Sequence, residues 1–430
     1  MGDPMPDSRR NSMFRFLHAA DIHLDSPLKG LEIYQDAPVD QIRGAVRRAF
    51  DNLVDLAIQE DTAFVLLAGD LFDGDWKDYN TGLYFINRMG LLREAGILVF
   101  IVSGNHDAAS QISRALHLPD NVRLFSHKKA ETIILDDLNV AIHGQSFPSR
   151  IVTEDLAQYY PQGEYGLFNI GLLHTALTGR PGHEPYAPCT LDALRSKGYQ
   201  YWALGHVHQR EEVSREPWAV FPGNIQGRHI RETGAKGCTM VTVDEGQVRE
   251  IEHHDIDVLR WAVCRVDLNE CETQEECLDR VRQSLEEELA RAEGRPIAVR
   301  LVLEGITSLH GDLHEKSLHW MEEFKGIAAS LIEAWIEKTV FRTRRKASPE
   351  EVSVEGSSIT ALVRAVEELR LESQGLTEFM PEFEQLRSKL PPDLLMDEDP
   401  FNLQEEDMEI LREDVKELLM GKMLRQERSS

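Results

Sequence analysis

The chain has 430 residues, with 47 Lys and Arg against 74 Asp and Glu and a formal net charge of −27. Its 42% apolar fraction is enough for a sizeable core and excludes wholesale disorder, and no apolar run approaches the ~20 residues of a membrane-spanning helix. Such acidity also excludes a protein that coats nucleic acid by bulk charge, so a polyanionic substrate must be held locally, by metal ions, a small basic patch or a partner.

Residues 1–12 are polar, lack the apolar stretch of a secretory signal and read as a flexible leader. From 13 to 258, short apolar runs predict strands at 14–19, 63–67, 97–102, 139–143, 168–173 and 201–204, each closed by Gly, Asp, Asn or His. Helical patterns at 39–59 and 81–94 separate the first three. Strand–helix–strand alternation predicts an α/β layered sandwich whose strand-end loops carry the chemistry. Later strands at 219–221 and 238–243 lack long intervening helices, so the sheet is expected to finish antiparallel. Residues 259–346 read strand (260–268), helix (273–292), strand (297–303), helix (315–336) and strand (339–344), a small α+β domain. Residues 347–430 hold 9 Lys and Arg against 21 Asp and Glu. This acidic tail has helical patterns at 357–372 and 405–424, broken by Pro391-Pro392. Five cysteines, an odd number with no CxxC pair, fit reduced thiols in a cytoplasmic protein.

Five short strings put polar residues where apolar strands stop: Asp21-Ile-His23, Gly69-Asp70-Leu-Phe-Asp73, Gly104-Asn105-His106-Asp107, His174, and Gly205-His206-Val-His208. Residues two apart on an extended segment point to the same side, so Asp21 and His23 can share one ion. Seven candidate ligands (Asp21, His23, Asp70, Asn105, His174, His206 and His208) are too many for one tetrahedral site, and a carboxylate such as Asp70 can bridge a pair. Carboxylate, amide and imidazole without thiolate suit Mn²⁺, Fe²⁺ or Zn²⁺. Alone, any one of these residues is more often a packed histidine or a turn carboxylate. Five such strings at five predicted strand ends make that explanation weak.

The ordered set D-x-H, G-D-x-x-D, G-N-H-D, H and G-H-x-H resembles the signature of calcineurin-like metallophosphoesterases. The surrounding LHAADIHLDSPL, LLAGDLFDG and IVSGNHD are similar to the DNA-repair exonuclease branch, of the SbcD and YhaO type. That resemblance implies one ion on Asp21, His23, Asp70 and His208, and a second on Asp70, Asn105, His174 and His206, with Mn²⁺ the favoured metal. It implies that His106 protonates the leaving oxygen or steadies the transition state, with Asp107 orienting its imidazole. Asp73 stands where archaeal and eukaryotic relatives carry a histidine, as in the bacterial members. The resemblance further implies that 259–346 caps the active site, that the tail docks on a coiled-coil ATPase of the SbcC type, and that a homodimer can form. The activity implied is exonucleolytic hydrolysis of DNA in repair. The metal core alone would equally serve small phosphomono- or diesters, and a binding scaffold with weak hydrolysis would also keep the fold.

Basic clusters are few: Arg43, Arg47 and Arg48; Lys128 and Lys129; and Arg228, His229 and Arg231. Arg228 and Arg231 follow the metal motifs and are the expected DNA contacts, although the net charge predicts weak DNA binding by the chain alone. In the tail, Met408, Leu411, Val415 and Leu418 recur at helical spacing as one apolar stripe, which would pack either against the chain's own body or, as the expected partner contact, into a partner groove.

Overall fold

The computed structural model describes residues 13–26, 44–72, 79–109, 117–177 and 187–345. The leader, Arg43, Asp73 and the acidic tail with its apolar stripe lie outside the described residues.

Two six-stranded sheets stack face to face. In the first, β1 (Phe14–Ala19), β2 (Phe64–Ala68), β3 (Leu98–Val102) and β4 (Val122–Leu124) run parallel. The antiparallel hairpin of β11 (Gly237–Asp244) and β12 (Gln247–Asp255) completes its other edge. The second sheet has β6 (Val140–Gly144), β7 (Phe168–His174) and β8 (Tyr201–Gly205) in parallel at its centre. It is flanked by β5 (Glu131–Leu135) on one side and by β10 (Trp218–Phe221) and β9 (Glu211–Arg215) on the other.

Period-two alternation sorts the side chains of these strands between two cores. Phe14 and Phe16 of β1 meet Phe64, Phe100, Ile170 and Tyr201 between the sheets. Leu17 and Ala19 face outward, onto α1 (Ala45–Gln59) and α2 (Tyr79–Glu94). Helix α1 buries Val46, Ala49, Phe50, Leu53, Val54 and Ala57, a 3.6-residue stripe. The parallel strands of both sheets deliver their carboxyl ends to one edge of the sandwich, where open α/β sheets collect ligands.

One inward position on β1 is polar. His18 is fully buried, 3.0 Å from the Tyr201 hydroxyl through Nδ1 and 3.1 Å from the Leu204 carbonyl through Nε2. Burial outweighs the Leu204 contact and pushes its pKa down to about 3. A histidine lowered by folding binds its proton in the unfolded chain first, so its stabilising contribution is complete above about pH 6.5 and is lost as pH falls toward 3. The full shift corresponds to about 5 kcal/mol. Metal-free His18→Gln should therefore lose less stability than the wild type between pH 6.5 and 4; parallel denaturation curves would contradict this.

The module after the sandwich contains β13 (Arg260–Asp267), α5 (Gln274–Arg291), β14 (Ile297–Thr307), α6 (His310–Glu315), α7 (Ser317–Ser330) and β15 (Ala334–Arg345). Its three strands, in that order, are all parallel, with the helices as crossovers. Thr273 caps α5, accepting from the Glu276 N–H at 3.2 Å, and Cys277, Val281 and Leu285 turn one face into the core. The helix expected to reach residue 336 stops at Ser330. Ile332 takes φ 67°, and Ala334 and Ile336 instead alternate into the sheet beside β14. Pairing along the whole of β14 overrides a local helical pattern. Trp261, Ala298 and Trp335 pack against Ile256 and Leu259, which joins this module to the sandwich core. All five cysteines are buried and none forms a disulfide, and no helix among the described residues is long and apolar enough to cross a membrane.

Candidate dimetal site

Five strand ends converge. Asp21 and His23 follow β1, Asp70 follows β2, Asn105 and His106 open the five-residue helix α3 (Asn105–Ala109) after β3, His174 ends β7, and His206 and His208 follow β8. The first loop is held to the second by backbone bonds from Asp21 N–H to the Gly69 carbonyl (3.0 Å), His23 to Asp70 (2.9 Å) and Leu24 to Leu71 (2.8 Å). Asp21, His23, Asp70 and His206 all have positive φ, at 51°, 47°, 52° and 106°. Non-glycine residues reach that region at a conformational cost, and such clusters mark functional sites. Glycine is required where backbone and ligands crowd: a Cβ on Gly104 would sit 2.2 Å from Asp70 Oδ1, and one on Gly205 would sit 1.9 Å from the Ala68 carbonyl oxygen.

The expected ligands fall into two groups whose donor atoms lie within 4.8 Å of one another: Asp21, His23 and His208, and Asp70, His174 and His206. Asp70 stands between them. Its Oδ2 is 3.4 Å from His174 Nε2 and 4.0 Å from His23 Nε2, and its Oδ1 accepts from the His106 backbone N–H at 2.9 Å. Asn105 joins the second group, with Oδ1 3.0 Å from His174 Nε2. His174 Nδ1 donates to the Ala68 carbonyl at 2.9 Å, so its Nε2 lone pair faces the cluster. Two carboxylates, four imidazoles and an amide, all nitrogen and oxygen donors, fit divalent ions. Asp21, His23 and His208 with Asp70 would hold one; Asp70, Asn105, His174 and His206 would hold the other.

Burial acts on every charge here. It raises the Asp21 pKa despite His208 and His174 nearby. At Asp70 burial loses to His174, His106 and His23, which hold that carboxyl well below its ordinary value. At His174 burial would lower the pKa, but the charge and hydrogen bond of Asp70, with Asp21, push it up to about 9. The pocket thus carries a negative potential that favours cations.

Three features add to the sequence expectations. Asp107, expected to orient the His106 ring, also pins the loops carrying Asp70 and Asn105: its Oδ1 accepts from the Phe72 N–H at 2.9 Å and its Oδ2 from the Gly104 N–H at 3.0 Å. The His106 ring lies edge-on to His23, with centroids 5.0 Å apart. Arg228, expected to contact DNA, has 14% of its side chain exposed and turns to Glu232 at 3.3 Å, while Arg231 is exposed. Likewise Arg47 is engaged with Asp25 and stacks over Tyr84 at 4.8 Å; Lys128 and Lys129 are exposed. Glu232 was missed altogether. It is 4% exposed and lies 2.6 Å from His208 Nδ1, and its only sequence signal is an acid directly after the basic run Arg228–His229–Ile230–Arg231.

Two neighbouring ligand clusters with the Asp70 carboxylate between them, at the carboxyl edge of a double-sheet sandwich, are the architecture of a metal-dependent phosphoesterase. The calcineurin-like phosphoesterase family matches residues 14–210, and the middle domain of metallophosphoesterase YhaO matches residues 261–344. The chain is 37% identical over 294 residues to the uncharacterized metallophosphoesterase YhaO of Bacillus subtilis (strain 168), covering 67% of this chain and 71% of that protein. It is 27% identical to a DNA double-strand break repair protein Mre11 of Methanopyrus kandleri, over 56% of this chain and 57% of that protein. A protein of the same description from Sulfurisphaera tokodaii is 25% identical over 68% of this chain and 74% of its own length. The chain belongs to the calcineurin-like metallophosphoesterases, in the group that carries the YhaO middle domain.

Proposed function

We propose that the chain is a DNA nuclease with exonuclease character, loaded with Mn²⁺ at both clusters and acting in repair. The observation that carries this reading is His106: its backbone is bonded to the shared carboxylate of Asp70 and its half-buried ring stands beside His23, at the rim of the ligand clusters. Bound there, two divalent ions would supply Lewis-acid polarisation of a phosphoryl group and would ease deprotonation of the attacking water. The protein's own part is then positional. Asp70 sets the two ligand groups at one spacing, Asp107 fixes the loops that carry Asp70 and Asn105, and His106 delivers a proton to the departing oxygen.

DNA rather than a smaller ester is supported by two relatives described as DNA double-strand break repair proteins. With a net charge of −27 and Arg228 paired with Glu232, the chain alone offers few clustered cations to duplex DNA. The reading therefore includes an ATPase subunit of the SbcC type that supplies DNA affinity, docked through the acidic tail. The same scarcity of cations favours a second reading, hydrolysis of small phosphodiesters. One preparation should be assayed with Mn²⁺ on duplex DNA, single-stranded DNA and a small chromogenic phosphodiester. Degradation of DNA from its ends supports the nuclease; hydrolysis of the small ester alone, with DNA untouched with or without the ATPase, overturns it.

A further inference from the structure

The carboxylate of Glu232 divides its two oxygens between different tasks. Oε2 accepts from the Arg228 backbone N–H at 2.7 Å and from Asn224 Nδ2 at 2.9 Å, bonds within its own loop. Oε1 lies 2.6 Å from His208 Nδ1. A carboxylate at that distance makes Nδ1 the donor, so the proton of a neutral His208 sits on Nδ1 and the Nε2 lone pair is free for a ligand bond. Nε2 is the atom that faces the site, 4.0 Å from Asp21 Oδ1. Arg228 Nη2 lies 3.4 Å from Nδ1 and 3.3 Å from Glu232, both longer than the Glu232 contact, so the carboxylate decides which nitrogen carries the proton.

The loop that carries Glu232 is clamped at its other side. The Gln226 side chain donates to the Leu259 carbonyl at 2.7 Å and accepts from the Val258 N–H at 2.9 Å, and Trp261 Nε1 donates to the Gly227 carbonyl at 3.0 Å. A buried carboxylate on a loop held at both ends has little freedom to follow a rotating imidazole. His208, by contrast, is 30% exposed in its side chain and lies on the loop after β8, so it needs an external hold.

We propose that Glu232 is a positioning residue that fixes the tautomer and ring orientation of His208, and so sets affinity at the Asp21–His23–His208 cluster but not at the Asp70–His174–His206 cluster. This rests on the metal-binding reading of the two clusters and is independent of the substrate. The test is calorimetric titration of metal-free full-length protein with Mn²⁺, comparing wild type, Glu232→Gln, Glu232→Ala, His208→Ala and the double variant His208→Ala/Glu232→Ala. Glu232→Ala should weaken one of two sites by roughly 10–100-fold and leave the other unchanged. Glu232→Gln, whose amide oxygen still accepts from Nδ1–H, should fall between it and wild type. In the His208→Ala background, removal of Glu232 should have no further effect. Equal weakening of both sites, two wild-type affinities in Glu232→Ala, or an undiminished Glu232 effect without His208 would each overturn the proposal. A wild type that binds fewer than two ions would fail the metal-binding reading instead.

Discussion

Asp70→Ala should leave purification without either ion, whereas His208→Ala should keep one at nearly full occupancy. The asymmetry follows from where the two side chains stand. His208 belongs to the cluster of Asp21 and His23. Asp70 lies within 3.4 Å of His174 and 4.0 Å of His23, one ring from each cluster, and is the shared anion for both. Its removal also leaves four neighbouring imidazoles with less counter-charge, which further disfavours a dication. The His106 backbone N–H would lose its acceptor at the same time, so hydrolysis should fall below detection. Metal analysis by mass spectrometry, with melting of the metal-free protein to confirm folding, decides the matter. Two equivalents retained by folded Asp70→Ala would remove the bridging assignment.

His106→Ala should give the opposite pattern, with both ions kept and turnover lowered by roughly 10²–10⁴-fold, as expected when a general acid is removed. His106 lies outside both three-residue clusters, while its main chain, which the substitution leaves in place, holds Asp70. The loss should be largest for a substrate with a poorly stabilised leaving alkoxide, such as DNA, and smaller for a chromogenic ester whose phenolate leaves without help. That contrast separates proton delivery from a structural effect, which would lower both rates alike. Loss of metal, or near-normal turnover on DNA, would assign His106 a different part.

Much of the site was legible because metal chemistry restricts both residue type and position. Asp21, His23, Asp70, Asn105, His174, His206 and His208 each end an apolar run, and all seven meet in space. Strand ends must turn, and parallel strands bring their ends to one edge, so polar residues at successive ends are predicted neighbours without knowledge of the sheet order. Glu232 escaped because nothing local distinguishes a carboxylate that will face His208 from one that faces water; the decision belongs to a loop 24 positions later in the chain. The ion pair of Arg228 with Glu232 was hidden for the related reason that a basic run looks the same whether it reaches outward or folds back on a buried acid.

The residue pattern by itself determined the strand–helix alternation, the ligand set and the class of chemistry, since apolar periodicity and donor type are properties of short segments. Only the tertiary structure decided that twelve strands divide into two six-stranded sheets, that the last helix yields to β15, and that Asp107 braces loops while Glu232 holds His208. These are outcomes of long-range pairing and burial. A hydrogen bond between residues distant in sequence forms only where folding removes competing water and fixes both partners, and no short segment contains that information.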